Sequence, residues 1–180
     1  RTLGIVHLGL WGRSMGSVTA LGCVDPSMAG MVVDSPFTNL RDLICDIARK
    51  QNVPRVVTKL ALRFINNIIK KRAGFDIDEV DSVKSAGMRW VPALFVHGAD
   101  DALIPLRHCE LIFSNYAGDR ALIVLDGLDH NDARPGEFYE AARVFFKAIF
   151  SARGGVKTPE ELFAAVPNAN ANANANANAN

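Results

Sequence analysis

Ser14 has the setting in this chain that points most directly to chemistry. It stands in Gly12-Arg13-Ser14-Met15-Gly16, a Gly-x-Ser-x-Gly pattern. An apolar run over residues 5–11 leads into it, and a helix-like run over 17–23 leads out. Strand, sharp turn and helix are the setting in which this pattern presents a serine nucleophile at the end of a sheet. The spacing predicts that both glycines are needed, because side chains there would collide with neighbouring backbone. The following helix places its N-terminal N–H groups beside the serine, where they and the helix dipole can stabilise negative charge forming at the hydroxyl. Taken alone, the pentapeptide also fits a glycine-rich turn carrying an ordinary serine.

A serine hydroxyl is a poor nucleophile without a general base and a group that orients that base. Candidates for both follow in the chain. Residues 91–98 form a mostly apolar run ending in Gly98, and the loop Ala99-Asp100-Asp101-Ala102 comes next. Residues 121–125 form another apolar run, which opens into Asp126-Gly127-Leu128-Asp129-His130. Asp101 and His130 thus fall just past the C-terminal ends of predicted strands, the edge where open α/β sheets collect catalytic groups.

The remaining polar residues read more blandly. His7 lies within a strand pattern and is expected to pack. His108 follows Pro105 on a helix and is expected to be exposed. Asp129 adjoins His130 and suits a loop role, while Asp34 is expected to cap its own loop rather than line a site. Asn131, Asp132 and Arg134 are expected to hold the His130 loop through side-chain to backbone bonds. Cys23, Cys45 and Cys109 show no paired spacing, so they predict free thiols, a reducing compartment and no metal. Cys109 next to His108 does not make a nucleophile pair, because adjacent helical residues do not face each other.

These motifs resemble the α/β-hydrolases. The pentapeptide, Asp34-Ser35-Pro36-Phe37, His97-Gly98-x-x-Asp101-x-x-Ile104-Pro105 and the Gly127-x-x-His130 loop match the C-terminal half of that family in order and spacing. The resemblance covers about residues 5–150 and is greatest to the branch holding protein depalmitoylases and serine-aminopeptidase-like hydrolases. It implies an α/β class with the α/β-hydrolase fold, a mostly parallel sheet flanked by helices. It also implies Ser14 as nucleophile, Asp101 as orienting acid, His130 as base, and the Met15 backbone N–H as one of two oxyanion donors. The family spacing favours Asp101 over Asp100, and it gives His97 a structural role, bonded to the neighbouring loop. No cofactor and no metal are implied.

The chain departs from the family at its start. It begins with Arg1, and the family's earlier strands, one of which leads to the second oxyanion donor, are absent. The expectation is the C-terminal part of a longer protein, with its N-terminal strands missing and a sheet edge and apolar surface exposed.

The elements that must position these groups are predicted at residues 5–11, 29–33, 93–96 and 121–125 for the strands. An amphipathic C-terminal helix over about 136–152 closes a first region, residues 1–152. A helical, cap-like insertion occupies about residues 40–74. In it Asn52 is expected to cap a helix whose apolar residues recur from Val53 to Ile69 and whose basic residues include Arg55, Lys59 and Arg63. Packing on the sheet or over the site is one role for that helix, and contact with an anionic membrane surface is the other. Residues 153–167 make a short extension with Thr158 as N-cap. Strict Asn-Ala alternation from Asn168 to Asn180 builds no core and predicts a disordered tail.

Composition narrows the function classes. The net charge of +1 gives no reason to expect nucleic acid, and an apolar fraction of 49% suffices for a packed core. No run reaches the ~18 apolar residues of a membrane span. The reading is a cytoplasmic or membrane-peripheral serine hydrolase that cleaves an acyl ester or thioester. Its substrate would be a small molecule, a lipid-acyl group, or an acylated protein or peptide. The alternatives are a serine peptidase, aminopeptidase or prolyl-oligopeptidase-like, and a truncated, non-catalytic chain serving as an interaction module.

Overall fold

Met31, Val32 and Val33, and Ala93 through Val96, have no solvent exposure at all. Successive side chains of a strand point to opposite faces, so strands apolar at every position belong inside a parallel sheet covered on both sides. The computed structural model, which describes residues 7–151, Phe163 and the backbone of 170–172, has this arrangement. Strands β1 (Leu8–Arg13), β2 (Met28–Asp34), β3 (Ala93–Gly98) and β4 (Arg120–Leu125) lie side by side in that order, each parallel to its neighbour.

Among the described residues six α-helices join and cover them: α1 (Met15–Gly22), α2 (Leu40–Lys50), α3 (Arg55–Ala73), α4 (Ser82–Ala86), α5 (Arg107–Ser114) and α6 (Gly136–Ser151). Met31, Val33, Ala93 and Phe95 pack against Leu21 of α1, Ala86 of α4 and Cys109, Ile112 and Phe113 of α5. Val32, Leu94, Val96, Ala121 and Ile123 pack on the other face against Phe138, Ala141, Ala142 and Phe145 of α6. Helix α6 lies so close to the sheet that a Cβ on Gly30 would strike Ile149. The three-layer α/β/α architecture expected from the motifs is therefore present. The cysteines are free, with Cys109 buried.

Local chemistry sets the helix ends. The Asn39 side chain accepts the Asp42 N–H at 2.7 Å and caps α2. Gly74, at φ 77°, ends α3 in the left-handed conformation that glycine adopts without cost. The segment between β2 and β3 opens with α2 and α3, packed on each other. Its second helix begins at Arg55 with Pro54 as the capping residue, not at Asn52; Asn52 instead takes a positive φ of 55° in the turn after α2.

Two further expectations change, for His7 and for the Asn-Ala tail, while the expected open edge is present. His7 precedes β1, which spans Leu8–Arg13, and is exposed rather than packed; residues 5 and 6 of the expected strand lie outside the described residues. Strand β1 pairs with β2 alone among the described residues and leaves Leu8 and Trp11 exposed. Where a disordered tail is expected, Asn170–Asn172 pair antiparallel with β4, because small alternating residues can satisfy the open hydrogen-bonding row of an edge strand. Thr158 lies outside the described residues, whereas Phe163 stacks on Phe145 with ring centroids 5.9 Å apart.

Phe95 is fully buried and Phe64 is 68% exposed. Phe95→Ala is expected to lower the unfolding free energy by about 3–5 kcal/mol and Phe64→Ala by less than about 0.5 kcal/mol, read from urea unfolding curves.

Candidate active site

Ser14 sits between the end of β1 and the start of α1 with φ 53° and ψ −119°. A serine rarely holds a positive φ, and here the turn fixes it. Its N–H donates to the Asp34 carbonyl at 2.8 Å, and its carbonyl accepts the Ser17 N–H at 3.0 Å and the Ser17 hydroxyl at 2.5 Å. A Cβ on Gly12 would overlap the Gly16 carbonyl, so glycine is required there. A Cβ on Gly16 would meet nothing within 4 Å, which corrects the expectation that both glycines answer a collision. Space beside Gly16 is open, so only Gly12 is sterically forced. Met15, the first residue of α1, is 71% exposed, and a helix's first N–H groups have no partner within the helix.

The strand ends deliver the other two candidates to one place. Asp101 is 5% exposed and His130 6%, whereas Asp100 is exposed. His130 Nδ1 lies 2.7 Å from Asp101 Oδ2. The other carboxylate oxygen of Asp101 accepts the backbone N–H groups of Leu103 at 3.0 Å and Ile104 at 2.7 Å. His97 Nε2 donates to the Ile104 carbonyl at 2.8 Å and lies 3.4 Å from Asp101 Oδ2, fastening the same loop. Burial raises the Asp101 pKa, but the contacts from His97, Ile104 and His130 outweigh it and hold the carboxyl down at about 2. Gly98 permits the approach: a Cβ there would overlap the Leu128 carbonyl of the His130 loop.

Asp129 belongs to that loop and does not orient the ring. Its Oδ1 accepts the Ala102 N–H at 2.6 Å and the His130 N–H at 2.7 Å, while its own N–H donates to Asp132 Oδ2 at 2.7 Å.

Among the described residues no hydrogen bond joins the Ser14 hydroxyl to the His130 ring. The link between the serine turn and the histidine loop is instead made by arginine side chains donating to backbone carbonyls and pairing with Asp34. Arg13 donates from Nη2 to the His130 carbonyl, and to the Asp132 carbonyl at 3.0 Å, while its Nε lies 3.8 Å from Asp34 Oδ2. Arg134 donates to Asp34 Oδ1 at 2.8 Å, to Ser35 Oγ at 2.8 Å and to the Asp129 carbonyl at 3.4 Å. Both Asp34 and Arg134 are almost wholly buried. Asp34 therefore pairs with Arg134 rather than capping its own loop, and Arg134 holds the His130 loop as expected. Arg13 was not foreseen in this role; its signal was a cation beside the motif serine, with an acid ending the next strand.

A second acid–histidine pair lies outside this cluster. His108 is buried: its Nε2 lies 2.8 Å from Asp46 Oδ2 and its Nδ1 lies 2.9 Å from Thr38 Oγ1. The expected exposure of His108 fails because α2, from the insertion, packs over α5 and supplies Asp46. Cys109 points into the core, where burial pushes its thiol well above the usual range and rules out an activated thiolate.

No family model matches the chain. It is 27% identical over 128 residues to the uncharacterized protein YqkD of Bacillus subtilis, which covers 68% of this chain and 41% of that protein. Among solved structures, the acylaminoacyl peptidase of Pyrococcus horikoshii aligns with a TM-score of 0.62 and 11% identity over 88% of this chain and 26% of its own. Acetyl xylan esterase 1 from Thermoanaerobacterium sp. JW/SL YS485 aligns with a TM-score of 0.58 and 18% identity over 78% of this chain and 44% of its own. The chain thus spans less than half the length of each.

Two outcomes check this geometry. Gly12→Ala is expected to destabilise the chain by several kcal/mol and Gly16→Ala by less than about 1 kcal/mol, measured by urea denaturation. Asp101, with a folded pKa below its ordinary 3.8, stabilises the fold above about pH 4 and loses that contribution as pH falls toward 2. Between those limits the wild type is expected to lose on the order of 2 kcal/mol more stability than Asp101→Asn.

A parallel sheet covered on both faces, a strained serine turn after one strand and the matches at the level of architecture lead to one conclusion: this chain has the α/β-hydrolase fold.

Proposed function

We propose that this chain carries the reacting residues of a serine hydrolase acting on an acyl ester or thioester. The observation that carries the reading is the buried 2.7 Å pair of His130 Nδ1 and Asp101 Oδ2, on a loop tied by Arg13 to the turn of Ser14. An imidazole fixed at Nδ1 by a carboxylate has Nε2 available to take a proton. In this reading His130 removes the Ser14 proton as the hydroxyl attacks the acyl carbonyl. The Met15 N–H donates to the oxyanion, and Asp101 stabilises the imidazolium. Collapse expels the alcohol or thiol, protonated by His130. Water, deprotonated by the same histidine, then releases the acid and restores Ser14. Neither a metal nor a cofactor enters these steps. Resemblance to the depalmitoylase-containing branch makes a long-chain thioester the first substrate to try.

A peptidase is the second reading, favoured by the acylaminoacyl peptidase among the structural neighbours. An amide would pass through the same acyl-enzyme. A third, an interaction module without chemistry, predicts no covalent labelling.

The full protein is expected to react with a fluorophosphonate probe at Ser14. Ser14→Ala abolishes labelling, and His130→Ala slows it on the order of a thousandfold or more. Labelling that survives Ser14→Ala removes the assignment. Hydrolysis rates for p-nitrophenyl esters and acyl thioesters of increasing chain length, set against aminoacyl amides, separate the first reading from the second.

A further inference from the structure

Helix α3 buries only Thr58 and Leu62 outright. On the opposite face Val56, Val57, Leu60, Phe64 and Ile68 recur at helical spacing and are between 38% and 70% exposed. Beside this stripe run Arg55, Lys59 and Arg63, four residues apart, and Lys70, Lys71 and Arg72 close the helix. Its 19 residues hold six cations and no acid. Lys70 pairs with Asp76 beyond the helix end.

An exposed apolar stripe flanked by cations on one helix suits three kinds of cover. A second copy of the same face would bring twelve cations together with no acid on either helix to offset them. A protein partner would need an acidic rim around an apolar groove, and nothing on this face selects a groove over a plane. An anionic bilayer surface matches both features together: lipid headgroups take the guanidinium and ammonium groups, while the apolar side chains enter the interface. No helix among the described residues is long and apolar enough to cross a membrane.

We propose that α3 is a membrane-docking helix that lies in the plane of an anionic lipid surface, with Leu60 and Phe64 inserted and Arg55, Lys59 and Arg63 on the headgroups. The proposal is independent of the chemistry assigned to Ser14. It gains a functional consequence from one contact: Lys50 at the end of α2 donates to the Ala102 carbonyl, next to Asp101, so the docking segment is joined to the candidate site.

The test is co-sedimentation of the full protein with phosphatidylcholine vesicles that contain or lack phosphatidylserine. Partition is expected to rise at least tenfold with the anionic lipid and to fall back in high salt. Each cation near the surface contributes about a fivefold gain, so the triple variant Arg55→Glu, Lys59→Glu, Arg63→Glu, which reverses rather than removes three charges, is expected to lose at least about a hundredfold. The double variant Leu60→Ser, Phe64→Ser is expected to lose binding with the charges intact. Far-UV circular dichroism checks that the variants fold; these side chains are exposed, and the salt response of the wild type gives a readout that needs no variant. Equal binding to both vesicle types, salt-insensitive binding, or wild-type binding by both folded variants overturns the proposal. So does a dimer that Leu60→Ser, Phe64→Ser dissociates while the wild type ignores vesicles.

Discussion

Asp34 is the residue on which both halves of the candidate site converge. Its carbonyl receives the Ser14 N–H, which helps hold the serine in its left-handed turn. Its carboxylate receives Arg134, which also reaches the Asp129 carbonyl of the histidine loop, and faces Arg13, which reaches the His130 carbonyl. One carboxylate at the end of β2 thereby fixes the relation between a turn after β1 and a loop after β4. Such a pair costs desolvation energy, and removing one partner alone leaves a buried charge uncompensated, at about 3–5 kcal/mol. The interaction is better understood as a constraint on geometry than as a net source of stability.

The sheet makes this convergence possible. Parallel strands place all their C-terminal ends at one edge, so residues far apart in sequence meet there without long loops. Asp101 and His130 are 29 residues apart and Asp34 and Arg134 are 100 apart, yet each pair is in hydrogen-bond contact. Close backbone approach is the second requirement. Gly98 lets the histidine loop pass over the end of β3, and Gly12 lets α1 start directly beneath the serine turn. His97 adds a bond that holds the Asp101 loop from below, through the Ile104 carbonyl.

The helical insertion after β2 has two faces of different character. Helix α2 is bound into the body by Asp46, which takes His108 and Arg107 of α5 as well as Arg49 one turn on in α2 itself. Burial raises the Asp46 pKa, but these partners outweigh it and keep the carboxyl below its ordinary range. Helix α3 packs on α2 and turns its widest apolar stripe outward. Hydrophobic periodicity reports that a helix has an apolar side; it carries no information on what that side touches.

Local rules were enough to read the strands and the serine turn, because a turn's backbone demands and a strand's alternation are properties of adjacent residues. The resemblance to the family, through its spacing to Ile104 and Pro105, points to Asp101, and Asp101 is buried where Asp100 is exposed. Tertiary structure decided what depends on residues distant in the chain. It turned His108 inward by bringing Asp46 over it, recruited Arg13, Asp34 and Arg134 into one clamp, left Gly16 in open space and exposed the apolar face of α3. A sequence fixes which groups are present and their local conformation; which charges are paired and which faces are covered depends on the packing of whole elements, and only the folded chain determines that.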